Sequence, residues 1–397
     1  MENKSLKPKI RFKGFTEAWE QRKVTDVGKI FIGLVTTMTK NYTDVGTLLI
    51  RNSDIKDNHF EFDSNPIHLD EGFAKSNDSR RMHIGDVVTV HTGDVGTSAV
   101  ITEKEDGSIG FATIVTRPNK EIIDSNYLST YLNTEQHKNW AINQSTGDGR
   151  TNYNLKEFTQ LIVPLPSLKE QQCISKYIKQ IDNLITLHQR KCDKLLNIKK
   201  SLLEKMFPKN GNNVPEIRFK GFTEAWEQRK LNEIMDRYDN LRVPVAANLR
   251  IKGDTPYYGA NGIQDYVKGY THNGEFILVA EDGANDLKNY PVQYVNGYIW
   301  ANNHVHVLQA KKEKANNKFI KYAISQTNIE SLLVGGGRAK LNANIMMEIE
   351  LKMPNNLQEQ SLIGNIISKI DNLITLHQKK LNKLKNIKKS LLEKMFV

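Results

Sequence analysis

The fold is decided by a stretch that occurs twice: IRFKGFTEAWEQRK at Ile10–Lys23 returns letter for letter at Ile217–Lys230. Two further stretches repeat downstream, IDNLITLHQ at 181–189 and 370–378, and KSLLEKMF at 200–207 and 389–396. The residues between these repeats are not repeated. Two near-identical frames around dissimilar inserts indicate a fixed scaffold that carries two exchangeable modules. We therefore expect both modules to perform the same kind of task on different targets.

The repeats that follow each insert are predicted to form long helices. Their apolar residues recur at alternating steps of four and three, the heptad pattern of a coiled-coil seam. Each helix would span about 40 residues, or roughly 60 Å. Apolar residues beside the seam, such as Leu184, Leu187 and Ile198, widen the stripe, so we expect more than one partner helix, with part of the stripe meeting another protein. The seam and partner-interface positions are Ile174, Ile178, Ile181, Ile185, His188, Leu195, Leu202 and Met206, and in the second copy Ile363, Ile367, Ile370, Ile374, His377, Leu384, Leu391 and Met395.

Polar residues interrupt the seam at equivalent positions of both helices, His188 with Lys199 and His377 with Lys388. We interpret them as structural, because single polar seam residues commonly fix register and a lysine stem can lie along an apolar surface. A pH-sensitive role for the histidines and a phosphate contact by the neighbouring lysines stay open.

The charge of the chain is concentrated in the helices. The formal net charge is +11, which suggests a polyanionic partner. Residues 169–209 hold ten basic against four acidic residues and residues 358–397 eight against three, so the remainder is formally neutral. The inserts are therefore expected to recognise nucleic acid by shape and specific contacts rather than by bulk charge.

Each insert is predicted to be rich in strands and to contain one late helix. The predicted strands are 47–50, 86–90, 99–101 and 111–115 in the first insert, and 276–280, 293–295, 298–301 and 304–308 in the second. The helices are predicted at 126–142 and 318–334. Each insert then ends with a glycine-rich turn, a basic residue, an asparagine and a short apolar strand.

The basic residues Arg150 and Arg338 follow these glycine-rich turns at equivalent positions. Backbone N–H groups there could face an anion, and arginine fits a phosphate or a guanine edge. The alternative is that glycine ends the preceding helix and arginine is an exposed loop residue. Recurrence in dissimilar inserts favours a shared role, but both interpretations stand.

Other loops carry side chains that can read base edges, although Asn, Asp and Gly are also what tight turns require. The candidate DNA contacts are Arg80, Arg81, His91, Thr92, Asp94, Arg150, Asn152 and Asn154 in the first insert, and Tyr257, Tyr258, Asn261, Asp282, Asn285, Asn302, Asn303, His304, Arg338, Lys340 and Asn342 in the second.

Motifs of nucleic-acid enzymes are missing from the chain. There is no Gly-x-x-x-x-Gly-Lys-Ser/Thr phosphate loop. Asn65–His68 lacks the second proline and the aromatic residue of an amino-methyltransferase turn, and Glu350–Lys352 has no convincing upstream acid for a nuclease metal site. Cys173 and Cys192 are too few for a structural zinc site. We therefore predict a binding protein with no catalytic residue, metal site or cofactor of its own.

The combined layout resembles the specificity (S) subunits of type I restriction-modification systems over nearly the whole chain. The resemblance rests on the order insert, helix, insert, helix; on the boundary phrase at Pro164–Gln171, echoed at Leu357–Gln360; and on the lead-in at Phe12–Trp19, repeated at Phe219–Trp226. The second boundary, Met353–Asn356, lacks the Pro-x-Pro of the first. We therefore expect the angle between domain and helix to differ between the two boundaries.

The resemblance implies an α+β protein with two strand-rich, mixed α/β target recognition domains separated by two long antiparallel coiled-coil helices. Each domain would bind half of a split asymmetric site in double-stranded DNA, and the helices would set the spacing. The implied partners are two modification subunits, which methylate adenine with S-adenosylmethionine, and two restriction subunits, which use ATP and Mg²⁺. The expected domains are 1–166 (lead-in 8–23), a helix at 167–210, 211–353 (lead-in 215–230) and a helix at 354–397.

Two other functions are compatible with the sequence. One is a self-contained nuclease or methylase with unrecognised motifs, and the other is an architectural protein whose basic helices bind DNA without sequence preference. The neutral inserts argue against the second. No apolar run approaches the roughly 20 residues of a membrane span, and the N-terminus lacks the apolar core of a signal peptide, so a cytoplasmic protein without membrane partners is expected.

Overall fold

The computed structural model describes residues 7–145, 151–209, 211–335 and 339–396. The chain divides into two compact units, a first unit of residues 1–188 with 380–397 and a second unit of residues 189–379. Each long helix therefore contributes to both units. Within the described ranges, none of the helices has the length and apolarity needed to cross a bilayer.

The first unit is built on an antiparallel sheet whose strands lie in the order Gly28–Ile32 (β2), Ile114–Pro118 (β11), Val87–Thr89 (β8) and Ser98–Val100 (β9). A second sheet has the order Ile109–Gly110 (β10), Thr47–Ile50 (β4), His68–Leu69 (β7) and Tyr42–Thr43 (β3), and Ile55–Lys56 (β5) pairs with His59–Phe60 (β6). Strands Val87–Thr89 and Ile114–Pro118 form the centre of the first sheet, and their apolar residues are buried. The strands are β1 Glu20–Lys23, β2 Gly28–Ile32, β3 Tyr42–Thr43, β4 Thr47–Ile50, β5 Ile55–Lys56, β6 His59–Phe60, β7 His68–Leu69, β8 Val87–Thr89, β9 Ser98–Val100, β10 Ile109–Gly110, β11 Ile114–Pro118 and β12 Ile162–Leu165. The helices are α1 Val24–Val27, α2 Glu71–Ser76, α3 Ser125–Leu132, α4 Glu135–Gln144, α5 Leu155–Phe158 and the start of α6 Leu168–Lys205.

The second unit has the same core despite its different sequence. Its main sheet has six strands in the order Met235–Arg237 (β14), Val305–Ala310 (β19), His272–Ala280 (β17), Val292–Ala301 (β18), Lys252–Gly259 (β15) and Gly262–Val267 (β16). The first four correspond in order to β2, β11, β8 and β9 of the first unit. The strands are β13 Glu227–Lys230, β14 Met235–Arg237, β15 Lys252–Gly259, β16 Gly262–Val267, β17 His272–Ala280, β18 Val292–Ala301, β19 Val305–Ala310 and β20 Glu350–Met353. The helices are α7 Leu231–Ile234, α8 Asn317–Ser325, α9 Ala343–Met347 and the start of α10 Leu357–Met395.

The repeated lead-in forms the same contacts in each unit. Its end pairs antiparallel with the strand that precedes the long helix, β1 with β12 and β13 with β20. The first arginine of each lead-in forms a bidentate ion pair with a buried glutamate in the first turn of the helix. Arg11 pairs with Glu170, and Arg218 pairs with Glu359. These charge-assisted pairs fix each lead-in to the base of its helix.

The glutamine that follows each buried glutamate is also buried and fully used. The Gln171 side chain donates to the carbonyls of Ile122 and Pro166 and accepts from the Asp124 N–H. Gln360 makes the equivalent bonds to Lys314, Pro354 and Asn316. Both boundaries are thus anchored in the same way, although only the first contains Pro-x-Pro.

The two predicted long helices are confirmed at 38 and 39 residues. All seam positions are buried or half-buried. In the first unit the Lys388 ammonium lies 2.6 Å from Asp182, and in the second the Lys199 ammonium lies 2.6 Å from Asp371. Since Ile174 shares a core with Met395, and Met206 with Ile363, the helical segments in each unit run antiparallel. The seam lysines therefore fix the register through ion pairs.

The apolar residues beside the seam are exposed at equivalent positions of the two helices. Leu184 and Leu187 are each 45% exposed, and Leu373 and Leu376 are 44% and 46% exposed. Helix packing inside each unit leaves these four side chains uncovered.

The clearest differences between the predicted secondary structure and the structure are four. The helix predicted at 126–142 is two helices, because α3 ends before Asn133 and Thr134 is the N-cap of α4, where its hydroxyl accepts from the His137 N–H. The strands predicted at 293–295 and 298–301 are one strand, β18, in which Gly297 lies opposite Gly274 with both glycines at positive φ. The strand predicted at 111–115 begins at Ile114, since Ala112 has a φ of 47°. The second late helix, predicted to reach Val334, ends at Ser325.

Candidate nucleic-acid interface

The structure brings the loops that follow equivalent core strands together with the segment that follows each glycine-rich turn. In the first unit the Tyr153 N–H donates to the carbonyl of His91, and Thr92 forms a bridge with Asn152. In the second unit the Leu341 N–H donates to the carbonyl of Glu281, and Asp282 forms a bridge with Lys340. His91 and Glu281 therefore occupy equivalent positions, as do Asn152 and Lys340. We call these regions the first loop cluster (Asn52, 91–94, 111–113 and 152–154) and the second loop cluster (258–261, 281–285, 302–304 and 340–342).

Side-chain hydrogen bonds connect the first loop cluster. The His91 Nδ1 atom lies 2.7 Å from the Thr92 hydroxyl, which donates to Asn152 Oδ1 at 2.9 Å. The exposed Asp94 carboxylate accepts from the Thr97 hydroxyl and closes its own turn. Burial lowers the pKa of His91, so the hydrogen-bonded chain of His91, Thr92 and Asn152 is neutral at neutral pH. Asn154 and Asn342 are the N-cap residues of α5 and α9.

Asn52 is a member of the first loop cluster that the sequence did not reveal. Its amide donates to the carbonyls of Phe111 and Ala112, and its Oδ1 atom accepts from the His91 N–H at 2.8 Å. Asn261 plays a comparable part in the second unit, where its amide donates to the Gly283 carbonyl and accepts from the Asn285 N–H. Each asparagine stands two residues after its strand, β4 or β15, and this shared spacing was a signal that could have identified Asn52.

A buried, neutral layer supports the first loop cluster. Tyr153 is fully buried, and its hydroxyl lies 3.3 Å from Nε2 of the equally buried His137. Burial lowers the pKa of His137 to about 4 and raises that of Tyr153. The side chains beneath the first loop cluster are therefore uncharged. The polar groups of the loops alone determine the chemistry of the surface.

The second loop cluster gathers most of the candidate contacts of its unit. The His304 Nδ1 atom lies 2.6 Å from Asp282 Oδ1. Asn302 is only 3% exposed, its N–H donates to the Tyr258 carbonyl, and its Oδ1 accepts from the His304 N–H, so the structure favours a supporting role for it beneath the loop surface. The Asn303 side chain is exposed beside them. Amide, carboxylate and imidazole groups are thus presented together, which is the set of donors and acceptors that base edges require.

A network of charged residues joins the second loop cluster to the residues behind it. Glu281 accepts from Arg242 at 2.6 Å and lies 2.8 Å from the Lys340 ammonium. His306 contacts Asp239 at 2.7 Å and the Leu341 carbonyl at 2.9 Å. Burial alone would raise the pKa of Asp239 and of Glu281, but the hydrogen bonds from His306 to Asp239 and from Lys340 and Arg242 to Glu281 lower both pKa values.

The donor atoms of Asp239, Glu281 and His306 lie within 4.8 Å of one another, a spacing that could suit a metal ion. However, Arg242 and Lys340 already neutralise the carboxylates, and both nitrogens of His306 have protein partners. A metal ion would have to displace these groups, so the geometry favours a structural network.

Three candidate contacts lie apart from the polar surface of the clusters. Tyr257 is 1% exposed beneath the Arg250 guanidinium, which lies 4.1 Å from its ring centroid, so the structure favours a packing role for it. Arg80 donates to the Ile32 carbonyl. Arg81 bonds to Glu71, Asp78, Thr47 and the Gly107 carbonyl. Arg150 and Arg338 lie outside the described residues, and DNA contact by each candidate stays a prediction.

Comparison with known proteins identifies the class of protein that this fold and these loops define. The model of the type I restriction modification DNA specificity domain matches the chain twice, at residues 16–197 and 223–386. The chain therefore belongs to that family.

Individual relatives agree with this assignment. The chain is 44% identical to a putative type I restriction enzyme specificity subunit, S.HindORF215P, of Haemophilus influenzae, over 37% of each chain. It is 24% identical to the putative MjaX specificity subunit of Methanocaldococcus jannaschii, over 95% of this chain and 92% of that one. The crystal structure of a type I S subunit from M. genitalium shares the fold, with a TM-score of 0.71 at 15% identity over 98% of this chain and 99% of that one.

Proposed function

We propose that this chain is the DNA specificity subunit of a type I restriction-modification complex and that each unit reads one half of a bipartite, asymmetric DNA site. The observation that carries the proposal is the occurrence of a polar loop cluster at equivalent positions of the same core sheet in both units. Equivalent backbones suit the same DNA geometry, whereas different side chains suit different bases. The combined target is therefore non-palindromic.

The chemistry of the clusters suits direct reading of bases. Asn261 and Asn303 carry amides that can pair with adenine, and Asp282 can accept a hydrogen bond from the amino group of cytosine. His91 and Asn152 offer neutral donors and acceptors in the first unit. Arg150 and Arg338 are proposed to add one phosphate or guanine contact to each half-site.

The exposed leucines of the helices are proposed to dock two modification subunits. Leu184 and Leu187 in one helix and Leu373 and Leu376 in the other belong to identical nine-residue repeats and are almost equally exposed. Two identical apolar patches suit two copies of one partner. Two restriction subunits would complete the complex, and the length of the helices would set the gap between half-sites.

Catalysis is assigned to these partners. Adenine methylation with S-adenosylmethionine, and restriction with ATP and Mg²⁺, would take place in the modification and restriction subunits. This chain would recognise the DNA sequence and provide the scaffold on which the partner subunits assemble.

Selection of DNA from a random duplex pool by the complex of this chain with its modification subunits tests the proposal. We expect the retained duplexes to share two short conserved blocks separated by a fixed gap. Retention of duplexes without a common sequence, combined with steep salt dependence, would instead support the architectural DNA-binding alternative.

A further inference from the structure

Glu281 joins the segments that form the second loop cluster. Its N–H donates to the His304 carbonyl at 2.9 Å, and its carbonyl accepts from the Leu341 N–H at 2.7 Å. Its carboxylate holds Arg242 at 2.6 Å and Lys340 at 2.8 Å. One residue therefore connects three other segments that border the candidate contacts.

The ion pair between Glu281 and Lys340 has a neutral counterpart in the first unit. His91 occupies the position of Glu281, and Asn152 occupies that of Lys340, where a hydrogen bond from Thr92 holds it. In the first unit Thr92 binds the side chain of Asn152, and in the second unit Glu281 binds the side chain of Lys340. The second unit achieves this with a pair of opposite charges.

The contacts of Lys340 determine whether its charge is available to DNA. Its side chain is 46% exposed, so it could reach a phosphate, yet its ammonium is bound to a carboxylate that is only 12% exposed. Arg242 holds the other oxygen of that carboxylate, which fixes the carboxylate in place. The hydrogen bond to Glu281 raises the pKa of Lys340. Although burial alone would raise the pKa of Glu281, its hydrogen bonds with Lys340 and Arg242 lower that pKa and keep Glu281 ionised. The positive charge of Lys340 is therefore cancelled locally.

We propose that Glu281 is a positioning residue that restrains Lys340 from the DNA backbone and thereby suppresses non-specific binding by the second unit. A lysine that is free to contact any phosphate strengthens binding to unrelated DNA more than binding to the target, where base contacts already fix the position of the loop, and so lowers the ratio of specific to non-specific affinity. This inference rests on the proposed function, because it concerns the discrimination of one half-site.

Substitution of Glu281 by glutamine removes the charge and retains a side-chain carbonyl that can accept a hydrogen bond. The whole complex with its modification subunits is titrated with unrelated duplex DNA and with duplexes that carry the selected site or single-base variants of each half-site. For Glu281→Gln we expect the log–log salt slope on unrelated DNA to steepen by about 0.9 and affinity to rise about fivefold at 150 mM salt. Discrimination at the second half-site should fall by about the same factor of five, at the lower end of what one base pair commonly contributes, whereas discrimination at the first half-site is unaffected.

Lys340→Met provides the second test and does not threaten folding, since Lys340 is largely exposed. Under this proposal, and unlike the expectation from sequence, Lys340 does not touch DNA while Glu281 holds it. We therefore expect the salt slope of Lys340→Met to equal that of the unsubstituted complex, and the double variant to regain that slope. Glu330→Gln removes an equally negative but exposed side chain and controls for net charge.

Two results would overturn the inference. One is a salt slope that becomes shallower by about 0.9 in Lys340→Met, which would mean that this lysine already contacts phosphate. The other is an unchanged slope and unchanged discrimination in Glu281→Gln. If the unsubstituted complex itself shows no sequence preference, the proposed function fails instead, which separates the two ideas.

Discussion

Replacing Arg218 with methionine is expected to destabilise the second unit, because it leaves a buried carboxylate without its counter-ion. The Glu359 side chain is 0% exposed and the Arg218 side chain is 11% exposed. Two hydrogen bonds of 2.6 and 2.8 Å join them. Removing one partner from such a pair commonly costs about 3–5 kcal/mol. We therefore expect Arg218→Met to lower the free energy of unfolding of this unit by that amount.

Hydrogen exchange followed by mass spectrometry measures this loss, because it reports protection segment by segment. A loss of about 3 kcal/mol would accelerate exchange through unfolding by about 150-fold in β17 and α8. Arg11→Met, which leaves the buried Glu170 without its counter-ion in the same way, serves as the matched variant and should act on β8 and α3 of the first unit.

A double substitution separates the ion pair from simple loss of packing. Replacing both Arg218 and Glu359 with methionine removes both charges, and apolar replacements of buried pairs are often neutral. We expect the double variant to recover to within about 1 kcal/mol of the original protein. A loss below about 1 kcal/mol in Arg218→Met, or a double variant as unstable as the single one, would refute the reasoning.

Two further predictions concern the helices. Substituting Leu187 or Leu376 by aspartate should each remove one of two modification subunits, measured by native mass spectrometry, with little change in thermal stability because both side chains are exposed; undiminished binding would contradict the docking assignment. Burial alone would raise the pKa of Asp371, but Lys321, Lys199 and Tyr322 lower it below its ordinary value of 3.8. The stability that the ionised carboxylate contributes is therefore present above pH 3.8 and lost as the pH falls through the lowered pKa. In Asp371→Asn the midpoint of urea unfolding should therefore change less between pH 6 and pH 3 than in the original protein. A pH dependence identical to that of the original protein would contradict this.

The long helices could be predicted from sequence because a heptad pattern is local and occurs twice. The burial of positions such as Ile178 and Ile367 follows from that pattern alone. The strands Glu20–Lys23 and Glu227–Lys230 could not be predicted, because their charged residues show no strand pattern and their partners lie far along the chain. Their pairing depends on tertiary contacts that no local pattern reveals.

The candidate interface was predictable in part. The loops at His91 and Asp282 and the segments at Asn152 and Lys340 were recognisable from residue type, and the structure brings them together in pairs. The partners of Glu281 were not recognisable, because Arg242 reaches it from a loop far away in sequence. Tyr257 illustrates the opposite error, since residue type alone cannot distinguish a ring that packs in the core from one that contacts DNA.

Base-resolution mapping of adenine methylation tests the central claim most directly. A cell that expresses the matching modification subunit is compared with and without this chain, and with a chain in which one insert is exchanged for that of another specificity subunit. We expect a split, asymmetric motif that appears only with the chain, and exchange of one insert should change only one half of it. A motif that is absent despite a stable complex, or that changes in both halves after a single exchange, would contradict the account.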